Sequence, residues 1–485
     1  MTKARSNAGR KKRMRWSLLV VGIALTILLV MAIKPAPHGA PARMSDDFVE
    51  TIGVNTHLHF LDSVYGDRYP LVREKLSKLG VRHARNGAIL TSSSTLNELF
   101  YGRLRNLAAL GIRFNMSVDP RRQNQETINE AKIARIERMA GSALESFEGP
   151  NEYNKSGDPD WAENLTSYQT DLYHAVKNNP STRDIPVLSP AIAKPYPERL
   201  PDLSAYSDYS NMHSYPGGRN PGTSTLENHS LRAASEVGGN KPLISTETGY
   251  HTALNYTGHH SWVSERAMGK YIPRLFFEYF NRGIERTYLY EFIDSYPNPQ
   301  RDERDLHFGL LRRDGTEKPA YIALENLIDL LEDPGPNFET GSLDYSLNGN
   351  TADVHRTLLQ KRDGRFYLVL WQEVSSYDLK AERDISVPDR KVTLTLDQSI
   401  SKAAIYRPNR SVIPIKRYSS PRRLTLEVPD ELLVIELKPS KSETFAGNRV
   451  SETLKRFGDF LSEEGLPLTS VFLSVSETFT EIKGR

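Results

Sequence analysis

Eight short β-rich runs, each followed by a longer stretch, fill the chain from Thr51 to about Leu331, and this alternation limits the fold more than any other feature. The runs are Ile52–Asn55, Val81–Arg85, Arg113–Val118, Ala143–Phe147, Val187–Pro190, Tyr209–His213, Leu243–Thr246 and Arg286–Phe292. Amphipathic stretches such as Tyr69–Leu79, Ser94–Leu110, Gln125–Met139 and Glu265–Arg282 lie between them. Eight β-then-α units over roughly 280 residues predict an α/β fold, a (β/α)₈ barrel, which typically takes ~250 residues. An open doubly wound sheet fits less well. Its phosphate-binding turn would place glycines after the first strand, where Asn55-Thr56-His57 stands instead.

After Pro334 the pattern becomes one of short alternating runs: Arg365–Trp371, Lys391–Leu396, Ala403–Tyr406, Arg423–Val428 and Leu432–Leu437. Turn-punctuated runs of this kind predict an antiparallel β-sandwich. The expected division is a barrel over residues 47–333, a sandwich over 334–440 and a C-terminal tail over 441–485. The tail combines a weakly amphipathic stretch, Ser451–Leu461, with a Ser/Thr-rich end.

The head of the chain has a different chemistry. Lys3, Arg5, Arg10, Lys11, Lys12, Arg13 and Arg15 precede an uncharged run from Trp16 to Ile33. At ~1.5 Å per residue that run reaches ~27 Å, close to the hydrocarbon thickness of a bilayer. The basic flank predicts a cytoplasmic head (1–15), a transmembrane signal-anchor (16–33) and export of the body beyond Lys34 to the periplasm or the cell exterior. Residues 34–46 read as a Pro/Ala-rich linker. The rival is a cleavable signal peptide, with Ala40-Pro41-Ala42 as its processing site and the body secreted. Its apolar region would be unusually long.

Of the 63 basic residues, nine lie in positions 1–45, which contain no acid. The remainder holds 54 basic against 60 acidic residues, a body near −6 that argues against nucleic acid as a partner. Cysteine is absent, which excludes disulfides, thiol catalysis and Cys-based zinc sites. No cofactor motif stands out.

In a barrel the residues that close the strands face the functional mouth. Here those ends read Asn55-Thr56-His57-Leu58-His59, Arg85-Asn86, Glu148-Gly149-Pro150-Asn151-Glu152, His213-Ser214-Tyr215, Thr246-Glu247-Thr248 and Tyr290-Glu291-Phe292. Strands four and seven each deliver a glutamate. Breaking a glycosidic bond needs one carboxylic acid to protonate the leaving oxygen and one carboxylate across the anomeric carbon. Two such groups held close separate each other's pKa values, which is expected to keep one protonated near neutral pH.

On these residues the chain resembles the clan A glycoside hydrolases, whose hallmark is Asn-Glu ending strand four and Glu closing strand seven. The resemblance runs over about residues 50–440, because the trailing sandwich is similar to the accessory domain of families such as family 39. Membrane-anchored exopolysaccharide glycosidases are similar in layout. It implies that Glu152 is the acid/base, Glu247 the nucleophile and Asn151 a partner of the sugar 2-hydroxyl. Arg85 and Tyr215 would hold Glu247 ionised, and His213 would line the same subsite. The chain departs from the clan's usual pattern in three places: Tyr153 follows Glu152 where proline is common, Tyr290-Glu291-Phe292 replaces a frequent strand-eight tryptophan, and Glu148 is an extra acid.

Further candidates for substrate contact are His57 at the end of strand one, Glu291 at the end of strand eight and Trp262 in the long loop after strand seven. His57-x-His59 also opens a rival reading, since alternate residues on a strand end point the same way, as two ligands of one metal must. A metal-dependent, amidohydrolase-like barrel would need more ligands. His213 and Asp294 are available, but strand five offers none, so no metal is assigned. A second rival is a non-catalytic barrel that binds polysaccharide during its synthesis or export.

Overall fold

A computed structural model describes residues 39–122, 128–193, 200–223 and 225–440. Residues up to Lys438 form one compact unit, and Pro439–Arg485 form a second, of which only Pro439 and Ser440 are described. Among the described residues no helix is long and apolar enough to cross a membrane. The expected basic head (1–15), membrane span (16–33) and C-terminal tail (441–485) lie outside the described residues.

Eight parallel strands build the body: β1 (Ile52–Asn55), β2 (His83–Gly87), β3 (Arg113–Ser117), β4 (Leu144–Glu148), β5 (Val187–Leu188), β6 (Ser210–His213), β7 (Leu243–Thr248) and β8 (Arg286–Leu289). Their order in the sheet is β5-β4-β3-β2-β1-β8-β7-β6. A single parallel bridge, Leu188 to Tyr209, joins the two outer strands, so the sheet nearly closes as a barrel of the TIM type. Helices α1 (Tyr69–Leu79), α2 (Ser94–Ala108), α3 (Glu130–Ala140), α4 (Trp161–Lys177), α5 (Arg232–Gly238), α6 (Glu265–Asn281) and α7 (Pro319–Leu331) alternate with the strands. The described chain between β5 and β6 holds only a one-turn 3₁₀ segment, Ser204–Tyr206.

Local chemistry sets these boundaries. Ser93 caps α2 and Ser264 caps α6, each side chain accepting a backbone N–H two or three residues into the helix. Gly80 ends α1 in the left-handed conformation that glycine adopts without a Cβ penalty. Val72, Leu76 and Leu79 of α1 lie on one helical face and are buried against the barrel core.

The C-terminal part is β-rich. Strands β9 (Tyr345–Gly349), β10 (Val354–Gln360), β11 (Phe366–Gln372), β12 (Tyr377–Asp378), β13 (Arg383–Asp384), β14 (Arg390–Leu396), β15 (Ile400–Arg407), β16 (Ser411–Ser419), β17 (Arg423–Val428) and β18 (Leu433–Pro439) follow α7. One sheet runs β9-β14-β17, and a larger one runs β16-β15-β18-β11-β10 with Arg43–Met44 on its far edge. The seven residues of β11 are all buried because its two faces meet different cores. Tyr367, Val369 and Trp371 join the barrel's apolar cluster, whereas Phe366, Leu368 and Leu370 join the cluster shared with the smaller sheet. A strand covered on both faces reads as an unbroken apolar run, and burial of each large side chain contributes roughly 1.5–3 kcal/mol.

The expected linker over residues 34–46 differs from the structure in its described part. Ala40–Pro41 pairs with Ser342–Leu343, Arg43–Met44 pairs with β10, and Ser45–Glu50 is helical. Pairing with strands far along the chain organises these residues, and composition alone could not reveal that.

Candidate active site

The polar residues at the C-terminal ends of the strands converge on a cavity of about 600 Å³. Its floor is organised by Arg85 on β2, which is 6% exposed. Arg85 Nε and Nη2 donate to Glu148 Oε2 and Oε1, both at 2.7 Å. Nη1 donates to Glu247 Oε1 at 2.7 Å and to Asn55 Oδ1 at 2.9 Å, and Nη2 also reaches Asn151 Oδ1 at 2.6 Å. One planar guanidinium thus fixes four residues from three strand ends, a task suited to its rigid fork of donors. Burial alone would lower the Arg85 pKa, but Glu148 and Glu247 raise it above the usual arginine value. Burial pushes the Glu148 carboxyl up, and the charge and hydrogen bonds of Arg85 overcome this and hold it low.

Glu247 lies within β7, where the pairing with β6 slips between Met212–Ser245 and His213–Glu247. Such a bulge re-aims a strand side chain. Glu247 Oε2 accepts from the Tyr215 hydroxyl at 2.8 Å. Burial, with Glu247 and Tyr290 nearby, raises the Tyr215 phenol well above its ordinary range, so it remains a donor.

Glu152 follows β4 by four residues and has a left-handed backbone, φ 44° and ψ 45°. For a residue other than glycine this costs of order 1–3 kcal/mol and persists only where surrounding structure imposes it. Here the Glu152 N–H donates to Ala191 O at 3.0 Å, and a 3₁₀ turn, Tyr153–Lys155, begins immediately after it. The turn returns Lys155 to the carboxylate, with Nζ 2.6 Å from Glu152 Oε2.

His213 joins the two glutamates. Its Nδ1 is 2.9 Å from Glu152 Oε1 and 3.4 Å from Glu247 Oε2, while Nε2 is 3.1 Å from Thr246 Oγ1. One atom each of Glu152, His213 and Glu247 lie within 4.8 Å of one another. Burial pushes the Glu152 carboxyl up, but the hydrogen bond and charge of His213, reinforced by Lys155, bring it down to about 2. The expectation that proximity alone keeps one glutamate protonated therefore does not describe the resting site. The contacts from His213 and Lys155 outweigh the effect of burial.

The structure brings Glu152, Glu247, Asn151, Arg85, His213, Tyr215 and His57 together. His57 lines the cavity, stacks on Phe60 with centroids 4.7 Å apart, and lies 3.2 Å from Glu291. Glu291 is placed differently from the expectation. It is fully buried beneath His57, outside the cavity lining, and burial followed by the nearby Asp294 raises its pKa well above the carboxylate range. Trp262 also stands outside this lining and packs near Tyr377 of the β-rich part, with centroids 5.5 Å apart. The loop that carries it leads toward the second sheet system, a course that strand order does not encode.

Lys155, Tyr290, Arg304 and Phe308 also line the cavity and were not singled out as contacts from the sequence. Lys155 had one available signal, its i,i+3 spacing from Glu152. Arg304 and Phe308 lie in the long segment after β8 and had none. As to metal binding, His59 Nδ1 is 3.1 Å from Asn86 Nδ2, and Asp294 pairs with Lys318 at 3.0 Å. These groups form no shared cluster with His57 and His213 among the described residues.

No family model and no curated protein matches the chain. Among solved structures it is similar to the family 51 α-L-arabinofuranosidase of Bifidobacterium longum, with a TM-score of 0.51 and 9% identity, over 84% of this chain and 98% of that one. That likeness shows the fold. It is also similar to a β-1,3-glucanosyltransferase of Rhizomucor miehei, solved as an active-site mutant with laminaritriose (TM-score 0.41, 19% identity, 56% of this chain and 96% of that one). For an exo-β-1,4-mannosidase of Opitutaceae bacterium strain TAV5 the TM-score is 0.42 and the identity 14%, over 57% of this chain and 59% of that one. These two likenesses are too distant to bear on fold or activity.

Proposed function

We propose that the chain is a retaining glycoside hydrolase of the clan A type, resembling family 39, that acts on a polysaccharide or oligosaccharide. The observation that carries this reading is the pair Glu152 and Glu247, with carboxylate oxygens within 4.8 Å at the mouth of a nearly closed barrel. That close approach favours double displacement, which needs ~5–5.5 Å between carboxyl groups, over inversion, which needs ~6.5–9.5 Å.

In this reading Glu247 attacks the anomeric carbon while Glu152 gives a proton to the departing glycosidic oxygen. The C–O bond breaks and a glycosyl ester forms on Glu247. Glu152 then takes a proton from water, whose oxygen attacks the same carbon and releases Glu247 as carboxylate. Arg85 and Tyr215 hold Glu247 in place through a hydrogen bond to each of its oxygens. Arg85 also occupies Asn151 Oδ1, which orients the amide to donate from Nδ2 toward a sugar hydroxyl.

Glu152 must gain a proton before it can act as the acid, so one of its contacts with His213 and Lys155 has to loosen. The His213 side chain is 1% exposed and pinned at both ring nitrogens, whereas the Lys155 side chain is 56% exposed. Lys155 is the partner that substrate displaces. The body is exported and tethered by the segment 16–33, and a bacterial exopolysaccharide is the substrate class this placement favours.

The test is azide rescue of two variants on an aryl glycoside with a good leaving group. Glu152→Ala should stall as glycosyl-enzyme and release a glycosyl azide of retained configuration when azide is added. Glu247→Ala should lose nearly all activity and give the inverted azide. Retained azide from Glu247→Ala would reverse the two roles.

A further inference from the structure

Three of the eight large apolar side chains that stand exposed among the described residues fall within four positions of β16: Val412, Ile413 and Ile415. Ile413 is 68% exposed and Ile415 57%. Residues two apart on a strand share a face, so the two isoleucines stand side by side. Apolar residues scattered singly over a surface are ordinary, but a cluster on a free sheet edge is a feature that calls for a partner. β16 is such an edge, with β15 as its one neighbour in the sheet.

The chain around this edge is basic. Seven Lys/Arg and no acid lie between Asp397 and Glu427, whereas the body as a whole is near −6. Arg407 pairs with Asp389 and Glu431, and Arg410 with Glu431. The other five, Lys402, Lys416, Arg417, Arg422 and Arg423, are exposed, and none has an ion pair among the described residues. Aliphatic groups beside unneutralised cations suit an anionic lipid surface, where the apolar groups enter among the headgroups and the cations meet phosphate. An acidic glycan would draw on the cations but leave the isoleucines in water. The same charges oppose two copies pairing edge to edge.

The tether leads to the same sheet. Arg43–Met44 lies on its far edge, five strand spacings of ~4.8 Å from β16. With residues 16–33 in the membrane, the six links from Lys34 to Ala40 reach about 22 Å at most, which holds the β-rich part close to the bilayer. We propose that β16 rests on the anionic headgroup surface of the membrane that carries the chain, with Ile413 and Ile415 at headgroup depth and Lys416 and Arg417 on lipid phosphates. The proposal rests on the anchored reading for the surface it meets, and its test reads the anchor and the strand separately.

The chain has no cysteine, so Ile413→Cys carries a single environment-sensitive NBD label. Leu96→Cys, at another exposed apolar position on the barrel helix α2, is the control. The full-length variants are reconstituted in vesicles of phosphatidylcholine, alone or with an equal part of phosphatidylglycerol, each containing a headgroup-nitroxide lipid as quencher. Label 413 should be quenched far more in the anionic vesicles than in the neutral ones, and label 96 equally in both. Each Lys/Arg at such a surface is worth about fivefold in partitioning, so Lys416→Glu with Arg417→Glu should lower the ratio of docked to undocked strand by more than about tenfold. Overturning results are equal quenching of label 413 in the two vesicles, equal quenching of labels 413 and 96, or quenching that survives the charge reversal. A response of label 413 to hexagalacturonate without lipid-dependent quenching would give the surface to an acidic glycan. One that grows with protein density in neutral vesicles would give it to a second copy, and either outcome overturns the membrane contact. Failure of the chain to float with neutral vesicles after alkaline extraction would remove the anchor while leaving a quenching difference in anionic vesicles to stand.

Discussion

Arg85 and Glu148 face each other at the floor of the barrel through two parallel hydrogen bonds of 2.7 Å, and Glu148 is wholly shielded from water. The pairing leaves the rest of the guanidinium to hold Glu247 and Asn151. Removing the carboxylate would strand a buried cation, which typically costs ~3–5 kcal/mol. Glu148→Ala should therefore lower stability by that order in a denaturant titration and reduce activity. Stability equal to that of the parent protein would show that the pair does not organise the floor.

The second prediction concerns pH. Glu152 sits at about 2, below the ordinary carboxyl value of ~4.3, with His213 and Lys155 as the causes that lower it. Lys155→Met removes one of them, so the Glu152 pKa rises and a larger fraction carries the proton near neutrality. In the free enzyme the basic limb of the kcat/KM profile should move to higher pH. A limb that stays in place, or moves to lower pH, would contradict Lys155 as the contact that holds Glu152 ionised.

These residues also show what the sequence could convey. Tyr69–Leu79, Ile52–Asn55 and Arg423–Val428 match the structure because one apolar periodicity governs each. Strand β2 sits two residues later than expected. Val81 suggested its start, yet the polar Arg85-Asn86-Gly87 lies inside the strand, where the site's hydrogen bonds satisfy it. Strand β16 is not legible in the alternation because Pro414 interrupts its pattern, and an edge strand tolerates proline where a central one does not. The two glutamates, Arg85 and Tyr215 were legible from register along successive strand ends. The ion pair of Lys155 with Glu152 and the packing of Trp262 on Tyr377 depend on turns and on a distant hairpin, which no local pattern specifies.

The third prediction concerns metal. The two glutamates already accept from Arg85, Tyr215 and Lys155. Hydrolysis should therefore survive exhaustive chelation. His57→Ala, which removes a polar group from the cavity wall, should weaken substrate binding by roughly 1–3 kcal/mol without abolishing turnover. Activity lost to a chelator and restored by zinc or manganese would move the protein to a metal-dependent class.

A fourth prediction rests on the seven basic residues ahead of Trp16. Protease added to spheroplasts should degrade the body while the membrane is intact, and the protein should stay membrane-bound after a high-salt wash. Protection of the body would reverse the topology. Release of a chain beginning after Ala42 would favour the cleaved signal peptide, at the cost of the Ala40–Pro41 strand that pairs with Ser342–Leu343.

The central claim, that Glu152 and Glu247 cooperate in double displacement, is tested most directly by the anomeric configuration of the first product. Proton NMR on the wild-type enzyme, recorded within minutes of adding substrate and before mutarotation, reads that configuration from the anomeric signal. The close carboxylate pair predicts that the sugar appears first in the configuration of the glycoside it came from. Initial appearance of the opposite anomer would contradict a covalent intermediate on Glu247 and, with it, the account of this site.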